Sequence, residues 1–217
     1  MLESIELQTG ADPRAAVIWL HGLGADGHDF EPIVPALELP AAKPVRFVFP
    51  HAPVRPVTIN NGVRMRAWYD ILQLGGGPED DAGIRASQRL LEALIAREKD
   101  RGVPADRIAL AGFSQGGAIT LQTALRYPER LAGALALSTY LPLAASLAQQ
   151  ASPANRDLPI LMAHGRFDDM IPMARAAQSR DVLRALGYAV DWREYPMPHA
   201  VCPPEIADIA AFLLRIL

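Results

Sequence analysis

The stretch Arg107-Ile108-Ala109-Leu110-Ala111-Gly112-Phe113-Ser114-Gln115-Gly116-Gly117-Ala118 sets a short apolar run directly against a G-x-S-x-G turn. Helix-compatible residues follow from Ile119 to Arg126. A strand that turns abruptly into a helix forces its middle residue into a strained backbone conformation. Gly112 and Gly116 remove the β-carbons that would collide there. Ser114 is thereby pushed out at the end of a sheet. A helix starting at Gln115 aims its free N–H groups and its positive dipole end at the same place, which favours the negative charge that develops in acyl transfer. The five-residue pattern alone is weak, because a glycine-rich turn with a capping serine also matches it. The strand before it and the helix after it give it meaning.

The rest of the chain supplies the sheet that such a turn needs. Continuous apolar runs occur at residues 15–20, 45–49, 107–111, 133–138 and 159–163, as expected of parallel strands covered on both faces. Residues 2–7 and 188–195 alternate better and suit edge strands. Residues 80–101 carry Ile84, Leu90, Leu91, Leu94 and Ile95 at helical spacing, with charges on the other face. Residues 172–186 read as a second helix, begun by Pro172 and ended by Gly187, and residues 205–217 as a closing one. The alternation predicts one α/β domain over residues 1–217. Together with the elbow serine it leads to the expectation of an α/β-hydrolase fold with a mostly parallel central sheet, helices on both faces and no large lid. Ligands should bind at the carboxyl ends of the strands.

Composition excludes several function classes. Half of the 217 residues are hydrophobic and 21% are charged, which fits one globular domain rather than a disordered chain. A net charge of -3 provides no basic field for nucleic acid. The amino terminus carries early acids and no apolar signal-peptide region, and no apolar stretch reaches the ~18 residues a membrane span requires. The expectation is a cytoplasmic protein without integral membrane association. The single cysteine, Cys202, excludes an intrachain disulfide.

A serine hydroxyl needs a base, and the base an orienting carboxylate. In this fold the chain order is Ser, then Asp or Glu, then His. His199 follows a proline-fixed turn, Tyr195-Pro196-Met197-Pro198, and is the histidine that satisfies that order. His21, His28, His51 and His164 read as hydrogen-bonded loop or strand-end residues. The acid lies in His164-Gly165-Arg166-Phe167-Asp168-Asp169, where spacing leaves both aspartates open and Asp168 is preferred over Asp169. The early turn His21-Gly22-Leu23-Gly24 is where a second oxyanion donor belongs. Leu23 and Gln115 are the candidate backbone N–H donors, with side chains of little consequence to the chemistry. Gly22 to Gly27 also matches G-x-G-x-x-G, but the acids Asp29 and Glu31 that follow would repel a pyrophosphate, and Pro50-His51 stands where an acidic ribose partner belongs.

With these segments assembled, the chain resembles the carboxylesterase and acyl-protein thioesterase (lysophospholipase-like) family of small α/β-hydrolases over nearly its whole length. The matching segments are Leu20-His21-Gly22-Leu23-Gly24 with Gly27-His28, Arg66-Ala67-Trp68-Tyr69-Asp70, Gly112 to Ala118, His164-Gly165 with Asp168 and Pro172, and His199. The resemblance implies a Ser114, Asp168, His199 triad, Leu23 and Gln115 as oxyanion donors, and neither a metal nor an organic cofactor. It also points to a homodimer. Arg166-Phe167 and Asp169-Met170 depart from the commonest residues of that loop, which leaves open whether carboxylesters, acyl-protein thioesters or lysophospholipids are cleaved.

Two segments are candidate walls for a small-molecule ester or lipid-like acyl substrate. Residues 50–79 carry no clear periodic element, a length uncommon for an idle loop. Trp68 and Tyr69 could present apolar surface there, with Gly75-Gly76-Gly77 as a flexible exit, although Trp68 also reads as core. Residues 139–157 offer Tyr140, Leu141, Leu143 and Leu147, as a substrate wall or as a dimer face. A binding protein that kept the fold and lost the chemistry would lack a triad member, and none is missing. A lactone hydrolase remains a rival within the fold. A peptidase would need a longer cleft.

Overall fold

The computed structural model describes residues 2–73 and 77–217, so Gly75 and Gly76 of the expected exit lie outside the described residues. In chain order the elements are β1 (Ser4–Gln8), β2 (Ala15–Leu20), α1 (Ile33–Ala36), β3 (Val45–Pro50), β4 (Val54–Val57), β5 (Val63–Arg66) and α2 (Asp81–Asp100). They continue as β6 (Ile108–Phe113), α3 (Gln115–Ala124), β7 (Gly133–Leu137), α4 (Ala144–Gln150), β8 (Ile160–Gly165), α5 (Met173–Ala185), β9 (Val190–Tyr195) and α6 (Pro203–Ile216). Each continuous apolar run is a strand, and the two alternating runs are the two edges.

The main sheet has the order β1-β3-β2-β6-β7-β8-β9, with β1 antiparallel to β3 and every other pairing parallel. From β2 the chain moves outward to β3, then returns across β2 to begin β6. The carboxyl ends of β2 and β6 therefore flank the point where strand order reverses, which is where open α/β sheets bind ligands. The loop after β2 carries Leu23, and the turn after β6 carries Ser114.

Period-two alternation divides each buried strand between two cores. Ala16, Ile18 and Leu20 of β2 pack with Ile84, Leu91 and Ile95 of α2, Ile119 and Leu121 of α3, and Leu183 of α5. Ala15, Val17 and Trp19 pack on the other face with Ile33 and Val34 of α1 and with Ile209, Phe212 and Leu213 of α6. Each such aliphatic side chain contributes about 1.5–3 kcal/mol through burial, so the sheet is held from both sides. Pro172 caps the start of α5, and Gly187, at φ 91°, ends it in the left-handed conformation.

The expected structureless stretch of residues 50–79 contains a hairpin. β4 pairs antiparallel with β5 in a separate two-stranded sheet, and Asn61 (φ 53°) and Gly62 (φ 74°) close its turn. The Asn-Gly pair is a hairpin signal in the sequence. It is masked by strands of four residues whose Val54 and Val63 are half exposed, so no apolar alternation marks them. Among the described residues no helix is long and apolar enough to cross a membrane.

Glu205, in the first turn of α6, is fully buried. The Cys202 amide offsets only part of the desolvation cost, without either carboxyl oxygen reaching hydrogen-bond geometry. Burial, reinforced by the charge of Asp208, pushes the carboxyl up from 4.5 to about 8. Below pH 4.5 both folded and unfolded chains hold the proton. Between 4.5 and 8 only the unfolded chain ionises, so stability falls with rising pH, by on the order of 5 kcal/mol in total. Glu205→Gln is expected to match the parent near pH 4.5 and to gain in Tm progressively toward pH 8. Parallel Tm curves across that range would show that Glu205 does not fold in its neutral form.

Candidate active site

Ser114 sits between β6 and α3 at φ 54° and ψ -120°. That conformation is strained for a residue with a β-carbon and costs on the order of 1–3 kcal/mol. The surroundings hold it there. The Ser114 N–H donates to Leu137 O at 2.9 Å, and the Thr139 hydroxyl donates to Ser114 O at 2.6 Å. A β-carbon on Gly112 would lie 2.4 Å from the Gly116 carbonyl, and one on Gly116 would lie 2.4 Å from Leu20 O. The first turn of α3 can therefore rest directly on the ends of β2 and β6 only if both residues are glycine.

Asp168 and His199 come from the loops after β8 and β9. His199 Nδ1 lies 2.7 Å from Asp168 Oδ2. The other carboxylate oxygen accepts the N–H groups of Met170 at 3.0 Å and Ile171 at 2.8 Å, which fixes the carboxylate plane. Asp168 is buried and Asp169 exposed, so the geometry selects between the two aspartates that spacing left open. His164, at the end of β8, adds a contact that the sequence reading does not contain. Its Nε2–H donates to Ile171 O at 2.8 Å and lies 3.3 Å from Asp168 Oδ2. Burial lowers the His164 pKa, so this contact is made by a neutral ring. The Phe113 ring packs on His199 at 4.7 Å between centroids.

The loop carrying Leu23 is tied down on three sides. The His21 ring donates from Nδ1 to Gly22 O at 2.7 Å and accepts the Ala52 N–H on Nε2 at 3.1 Å. Burial pushes its pKa down to about 4, in keeping with the neutral tautomer those two bonds require. The Gly24 N–H donates to Arg66 O at 2.9 Å. The Trp68 indole N–H donates to His21 O at 2.9 Å.

Trp68 is consequently not a cleft wall. It is fully buried in the core, with its indole holding the Leu23 loop and its backbone N–H donating to Gln115 Oε1 at 2.7 Å. Gln115 Nε2 in turn donates to Tyr69 O at 2.7 Å. The Gln115 side chain, expected to be of little consequence to the chemistry, thus has a structural task. Its amide satisfies two buried backbone groups of the 68–69 segment, and a buried glutamine must find such partners. Leu141 is also corrected: it and Leu147 are buried in the molecule's own core and serve neither as substrate wall nor as dimer face.

Ser114, His199, Leu23 and Gln115 line one cleft of about 80 Å3. Tyr140 and Tyr69 form one wall, their hydroxyls hydrogen-bonded at 2.8 Å, with the Arg175 guanidinium 3.4 Å over the Tyr140 ring. Ile59, Ile71, Gln73, Met170 and Ile171 also line it. Of these, only Tyr69 and Tyr140 were legible as wall residues. The others come from separate stretches, at 59, 71–73 and 170–175, with no local pattern to join them.

A serine on a strand-to-helix elbow, at the switch point of a mostly parallel sheet, defines an α/β-hydrolase. Within that class the chain belongs to the phospholipase/carboxylesterase family, whose sequence pattern matches residues 3–217. It is 41% identical over 211 residues to acyl-protein thioesterase 1 of Gibberella zeae, covering 93% of this chain and 90% of that protein. Its fold superposes on Arabidopsis thaliana SOBER1 with a TM-score of 0.89 at 31% identity, covering 94% of this chain and 99% of the other. It superposes on Zea mays acyl-protein thioesterase 2 with a TM-score of 0.88 at 29% identity, covering 100% and 99%. The family and these relatives place the chain among hydrolases of ester or thioester bonds.

Replacing Gln115 by alanine leaves the Trp68 N–H and the Tyr69 carbonyl buried without partners. Gln115→Ala is expected to lower the free energy of unfolding by roughly 2–4 kcal/mol in urea titration. An unchanged midpoint and slope would show that the side-chain clamp contributes nothing.

Proposed function

We propose that the chain is a serine carboxylic-ester hydrolase that works through an acyl-enzyme on short to medium acyl groups. The observation that carries this reading is the 2.7 Å contact of His199 Nδ1 with Asp168 Oδ2, beside a cleft lined by both His199 and Ser114. A proton on Nδ1 leaves the Nε2 lone pair to take the Ser114 hydroxyl proton as Oγ attacks the substrate carbonyl. Asp168 holds that tautomer and stabilises the imidazolium. The carbonyl oxygen gains negative charge and is received by the N–H groups of Leu23 and Gln115, the latter in the first turn of α3, where amides have no carbonyl one turn back. His199 then protonates the departing alkoxide or thiolate. Water, activated by the same imidazole, attacks the Ser114 acyl ester and releases the acid.

The cleft volume supports short chains: about 80 Å3 takes roughly three water-sized groups before a chain emerges into solvent. A second reading, hydrolysis of thioester-linked acyl groups on proteins, is supported by the names of the relatives at 41% and 29% identity. It needs the same groups, since only the leaving atom changes from oxygen to sulfur. A comparison of p-nitrophenyl butyrate with an S-acylated cysteine peptide ranks the two substrates.

The parent protein is expected to be labelled by a fluorophosphonate and to hydrolyse p-nitrophenyl butyrate, with both lost in Ser114→Ala, the turnover by at least about a thousandfold. Rates should fall from butyrate to palmitate esters. A variant as active as the parent would remove Ser114 from the mechanism, and a flat chain-length series would remove the short-chain preference.

A further inference from the structure

At the opposite end of the sheet from Ser114 lies a larger cavity, of about 180 Å3. It opens where β2 and β3 begin, at Ala15 and Val45, and where the chain enters β6, at Arg107. Its walls are apolar, built chiefly from Leu39, Pro44, Val45, Leu213 and Leu217. Leu214, 43% exposed, forms part of its rim. An apolar cavity of about 150 Å3 is already large enough to bind benzene, so this one has room for a short hydrocarbon chain of about six to eight carbons.

Its charge is unlike that of the chain as a whole. The net charge is -3, yet three cationic side chains, Arg14, Lys43 and Arg107, line this cavity and no acidic side chain does. Among the described residues none of the three forms an ion pair. Lysine and arginine lay their hydrocarbon stems along apolar surface and keep their charged ends in water. An apolar cavity ringed in this way complements a ligand with a hydrocarbon tail and one anionic head. A bare inorganic anion would leave the apolar walls wet, and a neutral alcohol would leave the cations unused.

We propose that this cavity is a second ligand site, separate from the hydrolytic cleft, and that it takes free saturated carboxylates of about six to eight carbons. The tail fills the space between Leu39, Val45, Leu213 and Leu217, and the carboxylate meets Arg14, Lys43 and Arg107 at the opening. The site is formed without Ser114 or His199, so it stands whatever those residues do.

Isothermal titration of octanoate tests it, using the parent protein before and after covalent capping with a fluorophosphonate, with capping followed by mass spectrometry. Binding is expected to survive capping. Affinity should rise about fourfold per methylene from hexanoate to octanoate and then level off as the cavity fills. The triple variant Arg14→Gln, Lys43→Gln, Arg107→Gln, with an unchanged Tm, is expected to lose at least tenfold in octanoate affinity and none in octanol affinity. Loss of octanoate binding on capping would assign it to the Ser114 cleft and overturn the proposal. So would absence of binding, equal octanoate affinity in the triple variant, or affinity still rising at dodecanoate. If no cap forms, the reading of Ser114 as nucleophile fails, and the triple variant and the chain-length series decide the second site on their own.

Discussion

The close approach of α3 to the ends of β2 and β6 is the constraint on which the site depends. Backbone meets backbone there, with β-carbons at Gly112 and Gly116 excluded by contacts of 2.4 Å. Because the helix begins that close, Ser114 has no room for a relaxed turn and is held at φ 54°. The same approach brings the first amides of α3 beside the loop that follows β2. A looser junction would relax the serine and separate it from Leu23, so the strain at Ser114 and its place beside Leu23 in one cleft have one cause. The stability required to hold it comes from strands buried on both faces.

A second layer of the design is polar and lies beneath the cleft. Trp68 bonds the His21 carbonyl through its indole and Gln115 through its backbone, so one residue joins the two segments that carry the candidate oxyanion donors. Ser87 of α2 donates its hydroxyl to the Trp68 carbonyl from the far side. These groups are all buried, where an unpaired donor or acceptor costs far more than a satisfied one contributes. The network therefore tolerates few alternative arrangements and fixes the distance between the Leu23 loop and the elbow. Asp168 is treated in the same way, one oxygen accepting the Met170 and Ile171 N–H groups and the other held by His199.

Legibility in the sequence followed the strength of local patterns. The five inner strands were readable because burial on both faces leaves unbroken apolar runs, and the edge strands because they alternate. β4 and β5 were not, since four-residue strands with half-exposed Val54 and Val63 bury too little to leave a period; the Asn61-Gly62 turn was the available signal. Trp68 was open to two readings because a large aromatic in a loop looks alike whether it faces a ligand or the core. Leu141 and Leu147 were misread for a similar reason, an apolar cluster outside a regular strand carrying no information about which way it points.

From its residues alone the chain determined its class, the elbow serine, the histidine that satisfies chain order and the loop expected to hold the acid. Those features are local: glycine at a turn without space, an apolar run without a polar break, a proline-fixed corner. What the tertiary structure decided was direction and company. It turned Asp168 rather than Asp169 toward His199, gave the Gln115 side chain a task through Trp68, 47 positions away, and gathered Ile59, Ile71, Met170 and Arg175 onto one cleft. Only the preference for Asp168 had a signal in the sequence, through the family resemblance; the rest depends on which loops the strand order β1-β3-β2-β6-β7-β8-β9 sets side by side, and side-chain orientation in a loop is fixed by its neighbours in space.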